Sequence, residues 1–146
     1  MLRGNALAKV DEKGRLKLPA LFRSVIEPQF GHEFFVTSLQ GHSARIYPIE
    51  VYAELERRLV GSSTVQPLVT RLRNALNYYG QPAVMDGQSR ILIHPLLREA
   101  TRIDREVAVL GQQNYLEVWN RVAFEEQLRK NPLTENDLME LSTLGF

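Results

Sequence analysis

Arg15 and Arg90 each stand four residues after an aspartate, Asp11 and Asp86, in a chain of 146 residues. The first pair lies in VDEKGRLKLPALFR, residues 10–23, where Lys13, Lys17 and Arg23 add further cations. Aspartate at the first position and Gly14 at the fourth suit a type I turn, because the carboxylate accepts backbone N–H groups and glycine tolerates a positive φ. Asp11 then lies beside Arg15 and fixes its direction. Such a turn braces itself and needs no ligand. The same turn also has a use, since an arginine held rigidly at a hairpin tip, with Lys13 next to it, reaches a phosphate or the edge of a guanine at low entropic cost.

The pattern recurs at a constant spacing of 75 residues. Set against MDGQSRILIHPLLR, residues 85–98, Asp11 meets Asp86, Arg15 meets Arg90 and Arg23 meets Arg98, while Leu16/Ile91, Leu18/Ile93, Leu21/Leu96 and Phe22/Leu97 keep the apolar pattern. A second echo joins ARIYPIEVYAEL (44–55) to LEVWNRVAFEEQL (116–128), each a short strand running into an amphipathic helix. Two copies of one unit are therefore expected. In the second copy Ser89 stands where the first has Gly14, and the glycine moves forward to Gly87, so a different turn type is expected there.

The elements that must position these turns follow from periodicity. Alternation in RLKL and RILI puts Leu16 and Leu18, or Ile91 and Ile93, on one face of a strand, and Pro19 and Pro95 mark the entry to a short helix. Strands follow at EFFVTSL and EVAVLG, then near 44–47 and 115–119. Val51, Tyr52, Leu55 and Leu59 fall on one helical stripe, with Glu54 and Arg58 placed as an i,i+4 pair. GSSTVQP (61–67) reads as a connecting loop whose Pro67 opens the helix LVTRLRNALNYY, which ends near Gly80. Four short strands enclose little core, so the two units are expected to interlock into one small barrel or sandwich. The tail PLTENDLMELSTLGF offers a further helix, with Thr134 and Asp137 spaced as a capping box and Leu138, Leu141 and Leu144 on one side, ready to pack on the body or on a neighbouring subunit.

Composition narrows the function classes. A net charge of +1 conceals segregation: residues 1–23 hold six Lys/Arg against two Asp/Glu and residues 71–105 six against three, whereas residues 106–146 hold three against seven. Two basic segments folded onto one face would attract phosphates; left apart, they are solvated surface. The absence of cysteine fits a reducing compartment, and no apolar run suits a membrane span or a signal peptide. His32, His42 and His94 lack metal-site spacing, adjacent Glu125 and Glu126 point apart on a helix, and no phosphate-cradling or nucleophile-elbow motif occurs. Phe34, Phe35, Tyr115 and Trp119 read as core rather than as a base-stacking platform.

These residues resemble the MraZ family, bacterial DNA-binding regulators whose tandem units belong to the AbrB-like swapped-hairpin superfamily. The resemblance runs through RGN (3–5), DEKGRLKLPALFR (11–23), RIYPIEVY (45–52), DGQSRILIHPLLRE (86–99) and EVAVLGQQNYLEVWN (106–120). It implies a mainly β fold with short helices (α+β), built as two tandem AbrB-like units interlocked as a swapped-hairpin β-barrel. The expected divisions are a first unit at 1–60, a connecting loop and helix at 61–80, a second unit at 81–128 and a C-terminal helical tail at 129–146. It further implies a cytoplasmic, nucleoid-associated, ring-shaped homo-oligomer. This oligomer would bind repeated short G-rich elements in double-stranded DNA upstream of a cell-division and cell-wall gene cluster and act chiefly as a repressor, with no enzymatic activity, cofactor, metal or membrane. Carried over by position, Arg15 and Arg90 are the DNA contacts, Asp11 and Asp86 their turn-bracing partners, and Gly14 shapes the first turn. Lys13, Lys9 and Arg3 join them on charge and proximity. The competing expectation is an AbrB-like protein-interaction module, of antidote or ATPase-recruiting type, without specific DNA binding and acting through the acidic tail.

Overall fold

The computed structural model describes residues 1–61 and 66–146. The first copy lays down β1 (Asn5–Lys9), β2 (Arg15–Lys17), α1 (Ala20–Phe30), β3 (Glu33–Thr37), β4 (Ala44–Pro48) and α2 (Ile49–Gly61). After α3 (Pro67–Tyr79) the second copy repeats that order with β5 (Gln81–Val84), β6 (Arg90–Leu92), α4 (Pro95–Thr101), β7 (Glu106–Gly111), β8 (Leu116–Asn120) and α5 (Arg121–Lys130), and α6 (Glu135–Leu141) closes the chain with a 3-10 turn, Ser142–Leu144. Pro67 occupies the first turn of α3, where its missing N–H leaves no helical bond unmade. Most of the expected connecting loop, residues 62–65, lies outside the described residues.

The copies are paired with each other rather than side by side. Six strands form one antiparallel sheet in the order β1-β7-β8-β4-β3-β5, and β2 and β6 form a second, two-stranded ladder. Exchanging the copies leaves that order unchanged when it is read backwards. The β3–β4 and β7–β8 hairpins join at the centre, with Ala44 opposite Val118, and each copy's first strand completes the other copy's hairpin: Lys9 of β1 lies opposite Glu106, and Val84 of β5 lies opposite Glu33. This arrangement pairs strand edges that a four-stranded unit alone would leave open. Pairing is divided between the two sheets, and no ladder among the described residues closes them into a continuous barrel. The fold is thus mixed α+β around antiparallel sheets.

One core is shared by both copies. Leu16, Leu18, Phe22 and Ile26 of the first are buried with Ile91, Ile93 and Leu97 of the second, against Phe34, Val36, Ile46, Val107, Val109 and Val118 from the six-stranded sheet. Each buried aliphatic side chain contributes about 1.5–3 kcal/mol, so each hairpin is stabilised by burial against its counterpart. A smaller cluster forms where the expected stripe of α2 meets α3, as Tyr52 is buried with Tyr47 and Leu76 beneath Val51, Leu55 and Leu59. Loss of water around Tyr52 pushes its hydroxyl pKa up to about 12. Phe34 is core, Phe35 stacks on Tyr52 with ring centroids 4.2 Å apart, Tyr115 tilts on Tyr47 at 4.8 Å, and Trp119 meets Phe124 at 5.2 Å. These four aromatic residues pack against other side chains, in line with their reading as core.

The tail forms the expected helix. Its capping box forms, with Thr134 Oγ1 accepting from the Asp137 amide at 3.1 Å and Asp137 Oδ2 accepting from the Thr134 amide at 2.8 Å. Along the expected stripe Leu138 and Leu144 remain exposed within one chain, while Leu141 is partly buried. No helix of the described residues is long and apolar enough to cross a membrane.

Candidate nucleic-acid interface

Both D-x-x-x-R turns fold to one geometry. Asp11 Oδ1 accepts the Lys13 and Arg15 amides at 3.0 and 2.9 Å, while Arg15 Nε donates to Asp11 Oδ2 at 2.8 Å. Asp86 Oδ1 accepts the Gln88 and Arg90 amides, both at 2.9 Å, while Arg90 Nε donates to Asp86 Oδ2 at 2.8 Å. One carboxylate oxygen therefore shapes the turn and the other aims the guanidinium. The Arg15 backbone N–H holds the Asp11 carboxyl below the usual carboxylate range, against the opposing effect of partial burial and with help from the Arg15 guanidinium; Arg90 does the same for Asp86.

The expectation of a different second turn is corrected. Ser89 adopts φ 61°, the left-handed conformation that Gly14 takes at φ 84°, and Gly87 is not among the positive-φ residues. The aspartate bonding pattern dictates the turn, and a serine follows it at a cost of about 1–2 kcal/mol in backbone strain.

The ladder then brings the turns together. Leu16 lies opposite Ile91, Arg15 opposite Leu92 and Lys17 opposite Arg90. Each tip is also docked on the other copy, since the Ile93 amide donates to the Gly14 carbonyl at 2.9 Å and the Leu18 amide to the Ser89 carbonyl at 2.8 Å. Leu16 and Ile91 point into the core while Arg15 and Arg90 stay partly exposed on the opposite face, at 30% and 25% of side-chain area. The pseudo-twofold symmetry is incomplete. Arg90 Nη1 approaches Asp11 Oδ2 at 4.0 Å, so Asp11 faces both arginines.

Asp11, Arg15, Asp86, Arg90, Gly14 and Lys13 thus form one surface. The other two candidates lie at the two ends of β1. Lys9 ends β1 opposite Glu106 and borders a cleft with Asp104 and Arg105. Arg3 is exposed beyond the other end of β1, where Leu2 bridges Gln113. Two cations at the surface were not candidates from the sequence, Lys17 and Arg98. Alternation along Arg15-Leu16-Lys17 would have placed the first beside Arg15. The repeat match of Arg98 to Arg23 hinted at the second, whose guanidinium lies against Gly14. The histidines do not gather here; His94 Nε2 is 2.6 Å from the Tyr79 carbonyl.

Comparison with known proteins fits this frame. The family profile described as "MraZ protein, putative antitoxin-like" matches residues 81–142. The transcriptional regulator MraZ of Acidobacterium capsulatum is 42% identical over 146 residues, covering 100% of both chains. That of Koribacter versatilis is 44% identical over 147 residues, again covering 100% of both. The protein of the same name from Thiobacillus denitrificans is 30% identical over 146 residues, spanning 100% of this chain and 99% of its own. Similarity of this extent, end to end, means that the chain belongs to the MraZ family.

Proposed function

We propose that this chain is a sequence-specific, DNA-binding transcriptional regulator, chiefly a repressor, of a bacterial cell-division and cell-wall gene cluster. One observation carries the reading: two D-x-x-x-R turns, 75 residues apart in sequence, lie side by side with Arg90 only 4.0 Å from the carboxylate that aims Arg15. Two braced guanidinium groups on a half-exposed surface match phosphate and guanine acceptors, which favour planar, bidentate donors. The name of the relatives, transcriptional regulator, supports the same reading. Arg15 and Arg90 are then the DNA contacts, with Asp11 and Asp86 as their braces and Gly14 shaping the tip. Lys13 adds a phosphate contact, and Lys9 and Arg3 act along the flank.

In this reading the chain divides into AbrB-like units at 1–60 and 81–128, a connector at 61–80 and a tail at 129–146, interlocked as a swapped-hairpin barrel. It works in the cytoplasm on the nucleoid as a ring-shaped homo-oligomer, without enzymatic activity, cofactor or membrane attachment. Each surface makes few phosphate contacts, but equal surfaces on adjacent protomers engaging successive repeats raise avidity by about 10²–10⁴ when the spacing matches.

The test is a mobility shift on a duplex selected from a random-sequence pool by the wild-type protein. Arg15→Ala abolishes specific binding while the assembly stays intact by sedimentation, and Arg90→Ala acts in the same direction more mildly. Undiminished affinity in a well-folded Arg15→Ala protein sinks the assignment. A second reading, an antidote-type interaction module, draws on the antitoxin-like family description and on the exposed apolar residues of the acidic tail. It predicts that the pool yields no duplex whose binding weakens steeply with salt.

A further inference from the structure

We propose that Arg98 is a third DNA-contacting arginine and that it serves the first hairpin alone, an inference that rests on the DNA-binding reading above. Arg98 belongs to α4 of the second copy, yet its guanidinium lies against the tip of the first hairpin: a Cβ at Gly14 would come within 2.5 Å of Arg98 Cζ. Its position is fixed. Nε donates to the Ile93 carbonyl at 2.7 Å, and the Ile93 amide donates in turn to the Gly14 carbonyl at 2.9 Å, so strand end, arginine and tip form one bonded corner. The bond uses one of five guanidinium donors. Among the described residues no carboxylate pairs with Arg98, unlike Arg15 and Arg90, which are each held by an aspartate.

A half-buried guanidinium, oriented by one bond, lacking an anionic partner and set against the tip that carries Arg15, is preorganised for a phosphate. The second hairpin has no equivalent. Ser89 carries a side chain where Gly14 leaves room, and Arg23, the repeat counterpart of Arg98, makes no side-chain hydrogen bond or ion pair among the described residues. Glycine at position 14 therefore answers two requirements, a positive φ and space for Arg98. The two tips have the same backbone and unequal charge, and the first is the stronger.

The experiment titrates the pool-selected duplex into the full-length protein at several salt concentrations, comparing Arg98→Ala, Arg98→Gln, Arg98→Lys and Arg23→Ala with wild type. The first two are expected to weaken binding about tenfold at fixed salt and to lower the slope of log K against log salt by about 0.9, the loss of one phosphate contact. Arg98→Lys keeps the slope, and Arg23→Ala changes neither quantity. A folded Arg98→Gln protein with an unchanged slope overturns the proposal, whether or not its affinity falls, because a packing role alone leaves counterion release untouched. If Arg15→Ala also leaves affinity and slope unchanged, the DNA reading has failed rather than the role of Arg98.

Discussion

At the scale of single residues, the division of labour within each aspartate explains why the turns recur. One oxygen of Asp11 closes the backbone and the other aims Arg15, and Asp86 repeats this where the loop sequence differs. The Asp–Arg spacing was legible in the sequence because both bonds are local. The equivalence of Ser89 to Gly14 was not, since a glycine-based rule for positive φ overlooks a bonding network that imposes the conformation. Gly14→Ala should destabilise the protein by about 1–2 kcal/mol, through a left-handed backbone and displacement of Arg98, as read from the urea midpoint. Ser89→Gly should change the midpoint by less, because relief of strain is offset by greater freedom of the unfolded chain. The lowered carboxyl pKa values give a second prediction. A depressed folded-state pKa contributes stability above the unfolded value, near 3.9, and that contribution is lost as pH falls through the folded value. Thermal midpoints should therefore lose the Asp11 and Asp86 contribution only below about pH 4, and the Asp11→Asn/Asp86→Asn protein should show a shallower acid decline.

At the scale of elements, the hairpins stand on a core that neither copy owns. Leu16 and Ile91 are fully buried and face each other across the β2–β6 ladder. Leu16→Ala should cost about 2–5 kcal/mol in chemical denaturation, and Ile91→Ala a similar amount. Combined, they should fall short of the sum, because they empty one shared space. Strand positions were legible from period-two alternation, and Pro19 and Pro95 announced α1 and α4. Strand partners were not, since alternation states which face is buried and says nothing of what lies across the ladder; that β1 joins β7 and β5 joins β3 depends on contacts about 100 and 50 residues apart. The exposed Leu138 of α6 and Leu144 of the 3-10 turn follow the same logic in reverse, as an apolar stripe specifies a face without specifying its cover.

At the scale of the whole molecule, a nearly neutral chain concentrates its positive charge by topology. The basic segments at 1–23 and 71–105 are joined through the β2–β6 ladder, where Lys13, Arg15, Lys17, Arg90 and Arg98 gather. The charge counts marked the segments, and the β2–β6 pairing explains how cations from both come to share one surface. The most direct measurement is the salt dependence of binding to the pool-selected duplex by wild type and by the Arg15→Ala/Arg90→Ala protein, assembled to the same oligomeric state. If both arginines meet DNA, the slope of log K against log salt falls by about 1.8 in the double variant. A folded double variant that binds the same duplex with the wild-type slope contradicts the account.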